Sequence, residues 1–333
     1  LKLAASHGVE IGHAQVEIAR WELRVRAARA YYTAALADEL GALLQEGERW
    51  FETLKKRIEL QRTQDSDRYD QMAHLRLKSR YGVFARLRAD NQSLRDEARD
   101  ALRTLLSWPS DRRLRLREDA IAPTPIALRS VADYLTIAQR RRPALREARA
   151  HATAKSALAD SVEAAVWPDL VLLGEFNAVE SDVITSPGAV PGDRPLGVAA
   201  GVLLGLRWRL DVSQAVLEGR AVRAHAKQLA ARAETARSVM EVEVRRLHGR
   251  LSRQGDLMKA AHDAKVAARS WLSASWDLYD NGFGDLRDVT DALDQFWTTH
   301  LTHLRAIVTH NMMVVELSRA VGQDITMTKE TTP

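Results

Sequence analysis

The chain has 333 residues, 49 basic and 44 acidic side chains, a formal net charge of +5, and no cysteine. A charged fraction of 28% excludes a polytopic helical membrane protein, and no run approaches the ~20 apolar residues of a membrane-crossing helix. The lack of cysteine excludes disulfides, thiolate metal sites and cysteine nucleophiles.

Proline placement orders the chain. Eight of the nine prolines lie between Pro109 and Pro195, and none falls in 1–108 or 196–332. Proline in a helix interior costs ~3 kcal/mol, so two long proline-free stretches rich in Ala, Leu, Glu and Arg predict long helices. Residues 1–108 form the first, a helical hairpin interrupted at Gln64-Asp65-Ser66-Asp67, where Ser66 or Asp67 can cap the second helix.

Residues 109–168 follow as a linker with shorter helices over 126–166, broken near Arg142-Pro143. The clusters Arg112-Arg113-Leu114-Arg115-Leu116-Arg117 and Arg140-Arg141-Arg142 alternate with acids elsewhere. That pattern fits solvated helix faces better than the one-sided charge of a nucleic-acid binder, so no nucleic-acid partner is expected.

Residues 169–211 hold two strand-like runs, Leu170 to Glu180 and Gly197 to Leu210. In the second, the even positions Val198, Ala200, Val202, Leu204, Leu206 and Trp208 are apolar. The odd positions are small or apolar until Arg207 and Arg209. The uncharged stretch is too short to cross a membrane as a helix but fits the ~9–11 residues of a tilted membrane strand. A soluble hairpin packed on a helix fits the same pattern. Between the runs, Ser186-Pro187-Gly188 and Pro191-Gly192-Asp193 form a loop.

Residues 212–322 form the second hairpin. Val222, Leu229, Ala236, Met240, Leu247, Leu251 and Met258 trace a stripe for helix-on-helix packing. An unbroken arm over 212–281 would be ~105 Å long, which implies an elongated molecule. The arm ends at Tyr279-Asp280-Asn281-Gly282-Phe283-Gly284-Asp285, where Asn-Gly supplies positive-φ positions and Asp285 can cap the next helix. The two hairpins read as one repeat, with Ser66 to Asp70 set against Gly284 to Asp288. Residues 323–333 read as a disordered tail.

Three features invite chemistry. Asp277, Asn281, Gly282, Asp285 and Asp288 mimic a calcium loop, but Tyr279 stands where a third oxygen ligand belongs and Asp288 where a bidentate Glu is usual. His300, His303 and His310 share a helix without the further ligands a metal needs. No phosphate loop, nucleophile elbow or zincin motif occurs. No metal, no cofactor and no catalysis are expected.

The order of these features resembles the TolC family of bacterial outer-membrane efflux channels. The tip Tyr279-x-x-Gly282-x-x-x-x-x-Asp288-x-x-Asp291-Ala292 is similar to that family's second-repeat helical turn. Arg142-Pro143-Ala144-Leu145-Arg146-Glu147-Ala148, then Trp167-Pro168-Asp169-Leu170, resembles its helix leading into a strand. Leu206-Arg207-Trp208-Arg209-Leu210-Asp211 resembles the strand end before the long helix, and Leu317 to Gly322 its closing helix. One departure is that 1–108 has no strand pair before it, so the chain is expected to lack a first strand pair and any signal segment. The other is that Gln64 stands where the second tip has Gly282.

The resemblance implies a mainly α fold of long antiparallel helical hairpins, an α-barrel protomer, with one β-hairpin contributing to a trimeric outer-membrane β-barrel. It implies a passive homotrimeric duct of a tripartite efflux or type I secretion system. That duct would extend from the lipid bilayer into the periplasm and dock on a periplasmic adaptor (membrane fusion) protein fed by an inner-membrane pump. Asp288 and Asp291 would form the periplasmic gate. Gly282, Phe283, Gly284, Asp65 and Ser66 would contact the adaptor. Val202, Leu204, Leu206 and Trp208 would face lipid, and Arg207 and Arg209 the lumen. The competing class is a soluble, elongated coiled-coil scaffold or adaptor, calcium-responsive if the Asp277–Asp288 loop takes the ion.

Overall fold

A computed structural model describes residues 2–63, 69–109, 112, 114–117, 121–164, 166–179, 197–208 and 211–326. The elements in order are α1 (Lys2–Thr63), α2 (Gln71–Leu106), α3 (Val131–Arg141), α4 (Pro143–Ala164), β1 (Asp169–Val179), β2 (Gly197–Arg207), α5 (Val212–Asp280) and α6 (Leu286–Val321). The long helices follow from the proline-free stretches, and the α3/α4 break falls at Pro143, which starts a helix without needing its missing N–H.

The chain divides into two units, residues 1–13 with 147–235 and residues 14–146 with 236–333. In the first, Ala159 and Ala226 are buried. Arg223 on α5 reaches Asp160 at 2.6 Å and Glu163 at 2.6 Å on α4. That guanidinium, by hydrogen bond and charge, holds the Glu163 carboxyl below its ordinary pKa.

In the second unit, α1, α2, α5 and α6 share a core of Leu54, Phe84, Leu272, Val289, Leu293 and Phe296. Gly47 has no room for a Cβ because the Trp297 ring lies against it. A second core gathers Tyr134, Leu145, Met240, Val244, Val314 and Leu317 from α3 to α6. Beside it, the Glu243 carboxylate takes Arg142 and Arg319, each at 2.7 Å. Removing Glu243 would leave two cations facing each other in a mostly buried site. Ile325 joins this core, and its N–H donates to Ser318 Oγ at 3.2 Å. The expected tail from 323 is therefore corrected, because residues 323–326 extend the packed end of α6; residues 327–333 lie outside the described residues.

The caps correct two further expectations. α2 is capped by Asp70, whose carboxylate accepts from the Met72 N–H. Ser66 and Asp67, the expected caps, lie outside the described residues. α6 is capped by Asp285, as its sequence predicts, accepting from the Arg287 N–H. Asp285 follows Asp70 by 215 positions, and the C-cap Gly322 follows the C-cap Ser107 by the same 215. The repeat register is thus Asp70 with Asp285, not Asp70 with Asp288.

Candidate functional site: the strand hairpin and the helical tip

β1 and β2 pair antiparallel in one register, with Leu170 opposite Leu206, Leu172 opposite Leu204 and Phe176 opposite Ala200. Opposed residues point to the same side and successive residues to opposite sides. One side therefore carries Leu170, Leu172, Phe176, Val202, Leu204 and Leu206. The other carries Asp169, Glu175, Asn177 and Arg207 among small and apolar residues. On that side Arg207 meets Asp169 at 3.0 Å.

Among the described residues nothing covers the apolar side. Phe176 is 73% exposed, Val202 79% and Leu204 65%. A contiguous apolar surface of this kind marks a partner or a membrane. The expected lipid-facing Val202, Leu204 and Leu206 share one face, and Arg207 sits on the opposite one. Trp208 follows the end of β2 and is not a strand residue; its indole N–H donates to the Val166 carbonyl at 3.1 Å, so it sits at the hairpin base. Arg209 and the expected loop at 181–196 lie outside the described residues.

At the other site, α5 turns into α6 through Gly282 at φ 86°. The Phe283 N–H donates to the Leu278 carbonyl at 2.8 Å, closing the helix end. Phe283 is 85% exposed, while Gly284 packs against Leu278 and Tyr279, where a Cβ would crowd the backbone. Asp65 and Ser66 lie outside the described residues. Asp285 serves the cap and Asn281 bonds back to the Asp277 carbonyl at 2.7 Å. Asn281, Gly282 and Asp285 thus serve the turn, and no group of three or more metal-ligating side chains gathers among the described residues.

Asp288 is exposed in the first turn of α6. Asp291 is held by Arg80 of α2 at 2.7 Å and lies 3.7 Å from Arg287. Arg80 also reaches Asp294 at 2.6 Å and donates to the Thr290 carbonyl at 2.5 Å. Burial outweighs this pairing and raises the Asp294 pKa. Arg80 and Asp294 were missed in the sequence because their meeting joins positions 214 apart on different helices. On the α5 side, Arg57 of α1 pairs with Asp280 at 2.8 Å and the Tyr279 hydroxyl meets Gln61 at 3.3 Å.

The three histidines part company. His310 Nε2 meets the Thr124 carbonyl at 3.1 Å. His303 stacks edge-on with His262 at 5.2 Å between ring centroids, and His300 with Phe296 at 5.5 Å.

The chain belongs to the outer membrane efflux protein family, whose model matches residues 135–323. Export across the outer membrane is therefore its functional class. Its fold is shared with the outer-membrane channel OprN, which is 17% identical at a TM-score of 0.80 over 97% of this chain and 71% of that one. The open-state MtrE channel of Neisseria gonorrhoeae is 17% identical at a TM-score of 0.79, over 97% and 71% of the two chains. The outer membrane protein VceC of Vibrio cholerae is 14% identical at 0.77, over 97% and 75%. No protein of curated function shows a significant sequence match. Among the described residues no helix is long and apolar enough to cross a membrane.

Proposed function

We propose that three copies of this chain form a passive duct whose β1/β2 hairpins sit in an outer-membrane barrel. Its helices reach into the periplasm, and its tips, with exposed Phe283 between Gly282 and Gly284, meet a periplasmic adaptor fed by an inner-membrane pump. The observation that carries this reading is the two-faced hairpin. Eleven-residue strands match the height of a hydrocarbon core, one face is apolar and bare, and the other bears an ion pair. A two-stranded sheet has two open edges, which hydrocarbon does not tolerate, so further strands must close it. That requirement disfavours the soluble scaffold, which has no use for a bare apolar face.

The narrow opening is assigned to Asp288 and Asp291. Threefold repetition would bring like charges together, and a cation bound between them relieves that repulsion. Arg80 offsets the charge of Asp291, so Asp288 carries the larger share of the cation affinity.

The lipid assignment is tested by placing arginine on either face. Leu204→Arg is expected to cost ~2–4 kcal/mol near the bilayer midplane and to cut the trimer extracted from outer membranes at least tenfold. Leu203→Arg, on the other face, is expected to cost far less. Equal loss from both overturns the assignment.

A further inference from the structure

Between α1 and α2, toward the end where the two helices join, lies a cleft of about 510 Å³. That volume falls in the roughly 300–1,000 Å³ range of small-molecule sites. Its floor is apolar, formed by the buried Phe51, Ile58 and Leu77. Tyr81 forms one wall. Its ring stands edge-on to Phe51 at 5.6 Å between centroids and stacks with Phe84 at 6.2 Å, yet it is 45% exposed. A ring braced by neighbours and still open to solvent offers a face to a flat apolar ligand.

The rim carries charge. Lys55 comes from α1 and Lys78 from α2, and neither forms an ion pair among the described residues. By contrast, Arg57, Arg62, Arg80 and Arg88 on the same two helices each hold a carboxylate. Among the described residues lining the cleft Glu52 is the single acid, so the two lysines leave a positive surplus. His74 also lines the cleft, and its Nδ1 is buried without a hydrogen-bond partner among the described residues. Buried polar atoms are rarely left unpaired. An anionic oxygen in the cleft would accept from this nitrogen when it carries the ring proton.

The second repeat solves the same positions differently. At the offset of 215 between the capping aspartates, His74, Lys78 and Tyr81 correspond to Val289, Leu293 and Phe296, all buried in the core. One repeat closes with apolar side chains where the other sets an imidazole, an ammonium and a phenol around an apolar floor.

We propose that this cleft binds a small amphipathic monoanion, an aromatic carboxylate or sulfonate. Its ring lies against Tyr81, Phe51 and Leu77, and its anionic oxygens sit between Lys55 and Lys78. The ammonium groups act as point charges that suit either oxyanion, while Glu52 repels a ligand of higher negative charge. Because the ligand touches both helices, it ties α1 to α2 and stabilises the folded chain by mass action. The site goes beyond the duct reading and adds a small-molecule ligand to the helical wall.

The full protein, purified from outer membranes into lipid nanodiscs, is dialysed to equilibrium against 2-naphthoate, and uptake by empty nanodiscs is subtracted. One saturable site per chain is expected. The neutral 2-naphthylmethanol and the cationic 2-naphthylmethylamine are expected to bind about tenfold more weakly or worse, because each lacks the charge-assisted bonds to the lysines. Lys55→Glu combined with Lys78→Glu is expected to weaken naphthoate binding by a similar factor, whereas Lys259→Glu, on the exposed surface of α5, leaves it unchanged. All three lysines are exposed, so these variants leave the core intact. No saturable uptake above empty nanodiscs means that a neighbouring copy fills the cleft or that nothing binds there, and it overturns the proposal. Equal affinity for the three probes, or undiminished binding by the double lysine variant, overturns it too. Each of these failures leaves the duct reading standing, since that reading is tested separately by the trimer yield of Leu204→Arg.

Discussion

α2 and α6 each run 36 residues from an aspartate cap to a left-handed C-cap, yet α6 buries sixteen side chains and α2 six. Sixteen buried positions need neighbours on several sides, and α6 finds them in α1, α2, α3 and α5. α2 buries one stripe, flanks it with the ion pairs of Arg80, Arg88, Arg95 and Arg99, and leaves Val83, Leu87 and Leu94 exposed. Equivalent repeat positions show the divergence. Phe296 is 1% exposed, whereas Tyr81, 215 positions earlier, is 45% exposed. Trp297 wedges against Gly47, whereas its counterpart is Gly82, with open space around it. The acids Asp288 and Asp291 correspond to Ala73 and Arg76. Duplicated length and capping preserve a helix, while its neighbours decide what that helix does.

The largest expected effect contrasts Phe296 with Tyr81. Phe296→Ala is expected to cost about 3–5 kcal/mol, through lost burial and the cavity left behind. Tyr81→Ala, starting half in solvent, is expected to cost less than about 1.5 kcal/mol. Denaturant unfolding of the two variants measures both, and similar losses would break the asymmetry.

The C-caps sharpen the same contrast. Gly322 has φ 75°, and a Cβ there would meet the Arg141 carbonyl oxygen at 2.7 Å, so Gly322→Ala is expected to cost about 1–3 kcal/mol. Ser107 holds φ 49° with a Cβ, and Ser107→Gly is expected to gain up to about 1 kcal/mol. Thermal unfolding reads both, and the opposite signs are the point of the comparison.

The smallest effect is in pH dependence and belongs to the second repeat alone, because the counterpart of His300 is Ala85. Burial first, then Lys265, His303 and Arg269, push the His300 pKa down to about 4 from 6.5. The folded chain keeps this ring neutral where the unfolded chain would protonate it. Its contribution to stability is therefore full above pH 6.5 and is lost as pH falls toward about 4. The melting temperature of His300→Gln protein is expected to fall less over that range than that of the parent. Parallel curves would remove His300 from the account.

Much of the fold was legible along the chain. Proline-free stretches gave the long helices, Pro143 the break between α3 and α4, Asp285 the start of α6, and alternation the face that carries Leu204. These signals are local, since a period, a cap or a ring constraint acts within a few residues. The start of α2 was misread because Ser66, Asp67 and Asp70 all have capping chemistry and only the backbone path selects Asp70. The tail was misread because Ile325 looks polar-flanked in sequence, and its burial comes from a cluster shared by α3, α4, α5 and α6.

By itself, the sequence determined which segments are helix or strand, which strand face is apolar, and that Asp288 and Asp291 share a helix face, because these follow from periodicity and covalent geometry. Only the tertiary structure decided that Arg80 clasps Asp291 and Asp294, that Glu243 joins Arg142 to Arg319, and that α6 is enclosed while α2 is left with a bare flank. Those facts depend on which helices lie side by side. Side-by-side packing is fixed by long-range fit between apolar faces whose pairing no single stretch of sequence encodes.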